Sequence, residues 1–291
     1  MSPITGRSWR LALAFALMVV AERPARGQSL SYVGGLQYGA GDFIFTQRTW
    51  SAYLSNGLVW SAGRFRASAS VPLVMQDAGW VQYSGAGMLV PTGGVAGSGS
   101  SGASGTGTAS GMHGGSMTPS PNMPFSRVGV GDPIGRVELA LSPLDASGLR
   151  VSVVGAVKAP LADVNRGFGT GEWDAGAGLS TALRVGGTSV FGDAVYWKLG
   201  NPSGASLRNV LAYGLSIGRV LPGYRWSVLG SVAGASSFWA GLDPPVQAGA
   251  GVGYLLESGS SVTVSAAAGL TSTAPTISMA LGWRVPLGAK P

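Results

Sequence analysis

The chain contains no cysteine, which removes both thiolate metal sites and any disulfide framework. Charge is scarce: Asp, Glu, Lys and Arg make up 11% of the 291 residues, against roughly 25% in ordinary soluble domains. So few ionic side chains cannot clothe a water-soluble surface when 45% of the residues are hydrophobic and mean hydropathy is +0.29. No run of 18 apolar residues is present either, so no helix is available to span a bilayer. Gly-X-Y periodicity is missing, which excludes collagen, and nine Trp with eight Tyr argue against global disorder. The remaining class crosses lipid with strands.

Glycine is plentiful at 49 residues, and it alternates with apolar residues. From Trp50 onward, segment after segment has a period of two, which sets one face in an apolar medium and the other against something polar. Ile277, Met279, Leu281, Trp283, Val285 and Leu287 share one parity, and Ser278, Ala280, Gly282 and Arg284 share the other. Val151, Val153 and Val157 oppose Arg150, Ser152 and Lys158, while Trp173, Leu179, Leu183 and Val185 oppose Asp174, Gly176, Gly178 and Arg184. Segments 65–75, 211–217, 246–256 and 262–270 behave alike, with Gly249, Gly251 and Gly253 on one small face. A soluble sandwich also alternates, but its outer faces carry many Lys, Glu and Asp, whereas here the polar faces are Gly, Ser, Ala and occasional Arg. At 3.3 Å per residue and a tilt near 40°, 13 residues rise roughly 33 Å, enough for the apolar band of an outer-membrane barrel. The pattern therefore predicts an all-β, antiparallel transmembrane outer-membrane β-barrel.

Connection lengths alternate. Those at 61–63, 145–148, 186–187, 222–223 and 257–260 are tight, and those at 77–127, 162–172, 200–206 and 240–245 are longer. Bacterial barrels keep short turns in the periplasm and long loops outside. A descending strand that ends near Trp60 needs an ascending partner, and 30–40 is the only candidate. The count becomes about 12 strands, with both termini periplasmic and a backbone radius of roughly 12 Å. Trp50, Trp60, Trp173, Tyr196, Trp197, Tyr224, Trp226, Trp239 and Trp283 fall near segment ends, where interfacial girdles place aromatics.

The N-terminus reads as a signal peptide over residues 1–27, which leaves 28–291 as the barrel. Arg7 and Arg10 precede an apolar run from Leu11 to Ala21, and Ala25-Arg26-Gly27 supplies small residues before Gln28. Its removal takes away four basic residues and one acid, so the net charge falls from +7 to +4. That weak excess does not indicate nucleic acid. Residues 78–127 form a long Gly/Ser-rich loop predicted to be extracellular. Within it, 97–124 is low-complexity sequence that cannot offset its ordering entropy and is expected to be mobile.

Gly129-Val130-Gly131-Asp132-Pro133-Ile134-Gly135 opens a strand, Val157-Lys158-Ala159-Pro160 closes the next, and Phe168-Gly169-Thr170-Gly171-Glu172-Trp173-Asp174 leads into a third. Over roughly 128–200 the chain resembles the outer-membrane transporter family named for the meta-pathway of phenol degradation. The resemblance implies passage of small, often hydrophobic compounds. The chain ends Gly288-Ala289-Lys290-Pro291 without the usual terminal aromatic, which leaves Trp283 to carry the signal for the outer-membrane assembly machinery.

No catalytic constellation is present, and no enzyme, cofactor or metal site is expected. The single histidine, His113, sits in the low-complexity stretch, where no fixed base–nucleophile geometry is available. Met112, His113, Met117 and Met123 are soft ligands there, but loop composition alone accounts for them. Parity instead places charge in the lumen: Arg66, Asp132, Arg136, Glu138, Arg150, Lys158, Asp174, Arg184, Arg225, Glu257 and Arg284. Asp193 reads in either parity. Such charges either tune ion selectivity or brace the barrel through interior ion pairs. The functional expectation is an outer-membrane passive transporter for small, hydrophobic or aromatic solutes, with lipid as its surroundings. The alternative is a non-conducting structural or surface-display barrel with 97–124 as its exposed loop.

Overall fold

The computed structural model describes residues 28–43, 48–77, 81–83, 89–91, 127–142, 148–201 and 207–288. Its strands are β1 (Gln28–Gly41), β2 (Thr49–Ala62), β3 (Phe65–Gln76), β4 (Val81–Tyr83), β5 (Leu89–Pro91), β6 (Val128–Val130), β7 (Ile134–Ala140), β8 (Leu149–Lys158) and β9 (Asp174–Val185). There follow β10 (Thr188–Lys198), β11 (Val210–Val220), β12 (Trp226–Ala235), β13 (Val246–Leu255), β14 (Ser261–Gly269) and β15 (Ile277–Leu287). Each barrel strand pairs antiparallel with its neighbours, and β1 pairs with β15 from Leu30↔Leu287 to Ala40↔Ile277, which closes the sheet. β6 and β7 both lie along β3 and count as one strand, so the molecule is a closed 12-stranded antiparallel barrel. Among the described residues no helix is long and apolar enough to cross a membrane; closure satisfies the backbone instead, because a barrel has no edge.

Two local departures from regular alternation have physical causes. The segment 128–141 reads as one strand, but residues 131–133 leave the ladder because Pro133 has no N–H to donate. The Gly131 N–H reaches the Pro72 carbonyl at 2.8 Å and carries the sheet across the gap. Within the expected loop 78–127, β4 and β5 pair as a small separate hairpin. Residues 1–27 and 97–124, with the Met112–His113 cluster, lie outside the described residues.

Burial separates the two faces. On β8, Ser152, Val154 and Lys158 are buried, whereas Leu149, Val153 and Val157 are exposed. On β9, Asp174 is buried and Leu179, Leu183 and Val185 are exposed. Large apolar side chains thus stand outward around the whole wall, including Leu215, Ile217, Val264, Met279 and Leu281. A surface of that kind belongs against hydrocarbon rather than water.

Outward aromatics gather at the two rims. Trp60 and Phe65 pack with ring centroids 5.6 Å apart, and Trp226 and Tyr254 at 4.6 Å, all beside the tight turns. Near the opposite rim, Tyr38 and Trp50 lie 6.1 Å apart, and Trp173 and Tyr196 are exposed. Trp283 lies flat over Gly34, where any Cβ would collide with its ring. Two expected girdle members are elsewhere: Trp197 and Trp239 are buried inside the barrel, at 4% and 6% exposure.

Candidate functional site

The register fixes which side chains line the bore. Buried Val154 pairs with Glu138, and Glu138 pairs with Arg66, so all three share the inner face. Arg136 follows from the same parity, as does Arg150 from Ser152 and Arg184 from Asp174. Arg284 shares the face of Ser278, and its Nε donates to Ser31 Oγ at 3.1 Å. Asp193 pairs with Ser180 and so faces inward too. Arg225 and Glu257 depart from the expectation. They occupy tight turns at the edge of the bore, largely exposed, and pair with each other at 2.6 Å. That hydrogen bond from Arg225 to Glu257, and then Tyr254, raise the Arg225 pKa further above its ordinary value.

Three of the expected lumenal charges are drawn together into one buried cluster. Lys158 Nζ donates to Asp132 Oδ2 at 2.7 Å, to Thr170 Oγ1 at 3.0 Å and to the Glu172 carbonyl at 3.0 Å. Asp174 Oδ2 lies 3.5 Å from the same ammonium. The second oxygens are also used: Asp132 Oδ1 accepts from the Ala162 N–H, and Asp174 Oδ1 from the Gly200 N–H. Gly169, at φ 66°, brings its backbone against the Asp132 carboxylate, where a Cβ would collide. Phe168 covers Gly129, and Gln76 Nε2 donates to the Gly167 carbonyl at 3.1 Å. The connection 159–173 is therefore strapped inward to β3, β6, β8 and β9. The three motifs 129–135, 157–160 and 168–174 thus meet here.

A second connection folds inward at the same rim. Phe238 and Trp239, between β12 and β13, pack on inward Val154, Val195, Trp197, Val210 and Ala235. Sequence parity missed this apolar cluster. Val153 and Val154 are adjacent and both apolar, as are Val195, Tyr196 and Trp197, so alternation carries no facing signal there. The visible hint was the Phe238–Trp239 pair inside a connection.

The two rims differ in charge. Among the described residues, Arg64, Arg66, Arg150, Arg184, Arg219, Arg225 and Arg284 stand around the tight-turn rim, with Glu138 and Glu257 as the acids. Among the described residues, Arg66, Arg136, Arg150 and Arg184 form no ion pair. Arg150 Nε is buried without a hydrogen-bond partner. Across the bore, the inner faces of β11 to β14 carry Ser216, Gly218, Ser227, Leu229, Gly251, Gly253, Thr263 and Ser265, none of them ionic.

No protein-family model matches the chain, and no curated protein matches it. Solved structures do. The COG4313 outer membrane channel from Pseudomonas putida F1 aligns with a TM-score of 0.57 at 12% identity, covering 92% of this chain and 98% of that one. The CymD monoaromatic hydrocarbon channel aligns at 0.44 with 12% identity, covering 99% and 94%. The KdgM porin in complex with disordered oligogalacturonate aligns at 0.48 with 8% identity, covering 88% and 98%. The first likeness establishes the fold of an outer-membrane barrel.

Proposed function

We propose that the protein is an outer-membrane passive channel for small, hydrophobic or aromatic solutes, with its tight-turn rim and both termini in the periplasm. The observation that carries the reading is the change along the bore. One rim is lined by Trp197, Phe238, Trp239 and valines, and the other carries Arg66, Arg150 and Arg184, which form no ion pair among the described residues. The neutral wall between them is mostly Gly, Ser and Ala, side chains that leave space. A barrel built only as a scaffold gains nothing from leaving the Arg150 Nε buried without a hydrogen-bond partner, because desolvating such a group is costly. Asp132, Lys158 and Asp174 serve as braces in this reading, because both carboxylates are drawn onto one buried ammonium. The inherited expectation of small hydrophobic cargo fits a passage that runs beside the aromatic cluster.

One observation favours the non-conducting alternative: the Phe238–Trp239 cluster is nearly dry and lies inside the barrel. Planar-bilayer conductance of the purified protein decides between them. Stepwise conductance and uptake of small aromatics into liposomes support the channel. A wild-type protein that inserts, stays silent and opens only after Trp239→Ala would make it a plugged scaffold.

A further inference from the structure

We infer that the bore selects small aromatic carboxylates, captured by the arginines of its tight-turn mouth and a phenyl shelf beside them; this rests on the channel reading above. Arg66, Arg150, Arg184 and Arg284 stand on β3, β8, β9 and β15, spaced around the circumference and each within a few residues of that rim. Among the described residues, Arg66, Arg150 and Arg184 form no ion pair, and Arg284 Nε donates to the neutral Ser31 hydroxyl. Interior bracing therefore leaves these charges unexplained: Glu138, directly opposite Arg66 in register, accepts instead from Ser180 Oγ at 3.4 Å. A guanidinium offers a planar fork that matches a carboxylate, and a narrow low-dielectric mouth of one sign concentrates counter-ions.

The second half of the argument is Phe191. It pairs with inward Ala182 and inward Ser216, so its ring faces the bore, yet it is 47% exposed. A large apolar ring left open inside a lumen is a stacking surface. Arg150, Ala182 and Phe191 occupy one row across β8, β9 and β10. Guanidinium and phenyl are thus two strand spacings apart, about 10 Å between backbones, with only a methyl group on the floor between them. Arg184 lies two residues closer to the mouth on the same face. An aromatic ring over Ala182 and against Phe191 would bring its carboxylate to Arg150 or Arg184. A neutral hydrocarbon would use the shelf alone, and an inorganic anion the arginines alone.

Reversal potentials in planar bilayers test this. Under a KCl gradient the wild type should be anion-selective. With potassium benzoate on one side and potassium acetate on the other, benzoate should permeate better although it is larger. Arg66→Gln, Arg150→Gln and Arg184→Gln combined should abolish anion selectivity, while Phe191→Ala should keep it and lose the benzoate preference. Heat-modifiable gel mobility confirms that each variant is folded. A conducting wild type with no anion selectivity, or one that passes acetate at least as well as benzoate, overturns the inference and leaves the channel reading intact. Absence of conductance in every salt overturns the channel reading itself, and the inference with it.

Discussion

Lys158 Nζ and Asp132 Oδ2 lie 2.7 Å apart with side-chain exposures of 1% and 3%, although one ends β8 and the other interrupts the strand before it. Two carboxylates share that one ammonium, so the cluster holds together only while Lys158 is present. Removing one member of a buried ionic group typically costs about 3–5 kcal/mol. Lys158→Met should lower urea stability in lipid vesicles by about that amount, measured by tryptophan fluorescence. Asp132→Asn keeps the size and should cost less. Equal stability of Lys158→Met and wild type would show that the strap 159–173 is held by Phe168 and Gln76 instead.

The two faces should respond oppositely to charge. Leu179 is 51% exposed on the outer face, and an arginine at a lipid-facing midplane site costs roughly 2–4 kcal/mol. Leu179→Arg should fold into bilayers with that penalty, and Ser180→Arg, one residue on and inward, should fold with little loss. Gly178 is not a usable inward control although its parity is right. A Cβ there runs into the Ala194 carbonyl and the Val195 backbone, so Gly178→Arg should also fail, for packing reasons. Equal tolerance of Leu179→Arg and Ser180→Arg in vesicle-folding yield would refute the facing.

These cases show what was legible in the sequence. Strand number, closure and facing follow from period-two alternation because one face meets hydrocarbon for the full strand length. The pattern held even in β1, where Gly34 dilutes it: Trp283 of the partner strand fills the space that a side chain would take. Legibility ended wherever inward residues are apolar, since Val195 and Trp197 flank outward Tyr196 without any contrast. Nor could parity reveal that Asp132, Lys158 and Asp174 pair with each other while Arg66 and Arg150 do not. Pairing depends on how the connections fold back, and connection sequences carry no periodicity.

Maturation offers a third test. The first strand begins at Gln28, the residue after the expected scission at Ala25-Arg26-Gly27. Protein isolated from the outer membrane should start at Gln28 by N-terminal mass spectrometry. An intact Met1 on membrane-inserted protein would refute the signal peptide.

Deleting 97–124 should leave the barrel folded. β3 meets β6 through Leu73↔Val130 to Met75↔Val128, and the Gln76 N–H bonds the Arg127 carbonyl at 3.0 Å, so pairing on both sides is complete without the segment. Shortening a connection lowers the entropic cost of closing it by about 0.6 kcal/mol per halving. Heat-modifiable mobility should survive the deletion with a short Gly-Ser linker in place. A deletion protein that no longer refolds in detergent would make the segment structural.

The aromatic cluster should govern how freely the bore conducts. Phe238 and Trp239 reach it from the connection between β12 and β13, held by a Ser237 Oγ hydrogen bond to the Trp239 carbonyl. Truncating a buried Phe or Trp to Ala costs about 3–5 kcal/mol. Here the loss falls on the docking of that connection. The barrel ladders β11–β12 and β12–β13 do not depend on these side chains. Phe238→Ala with Trp239→Ala should therefore keep the heat-modifiable shift of the folded barrel, yet release the connection from the lumen. Single-channel conductance should rise, and protease should cut between residues 236 and 245 faster than in the wild type. Faster cutting with unchanged conductance would mean that the connection packs beside the permeation path and not across it.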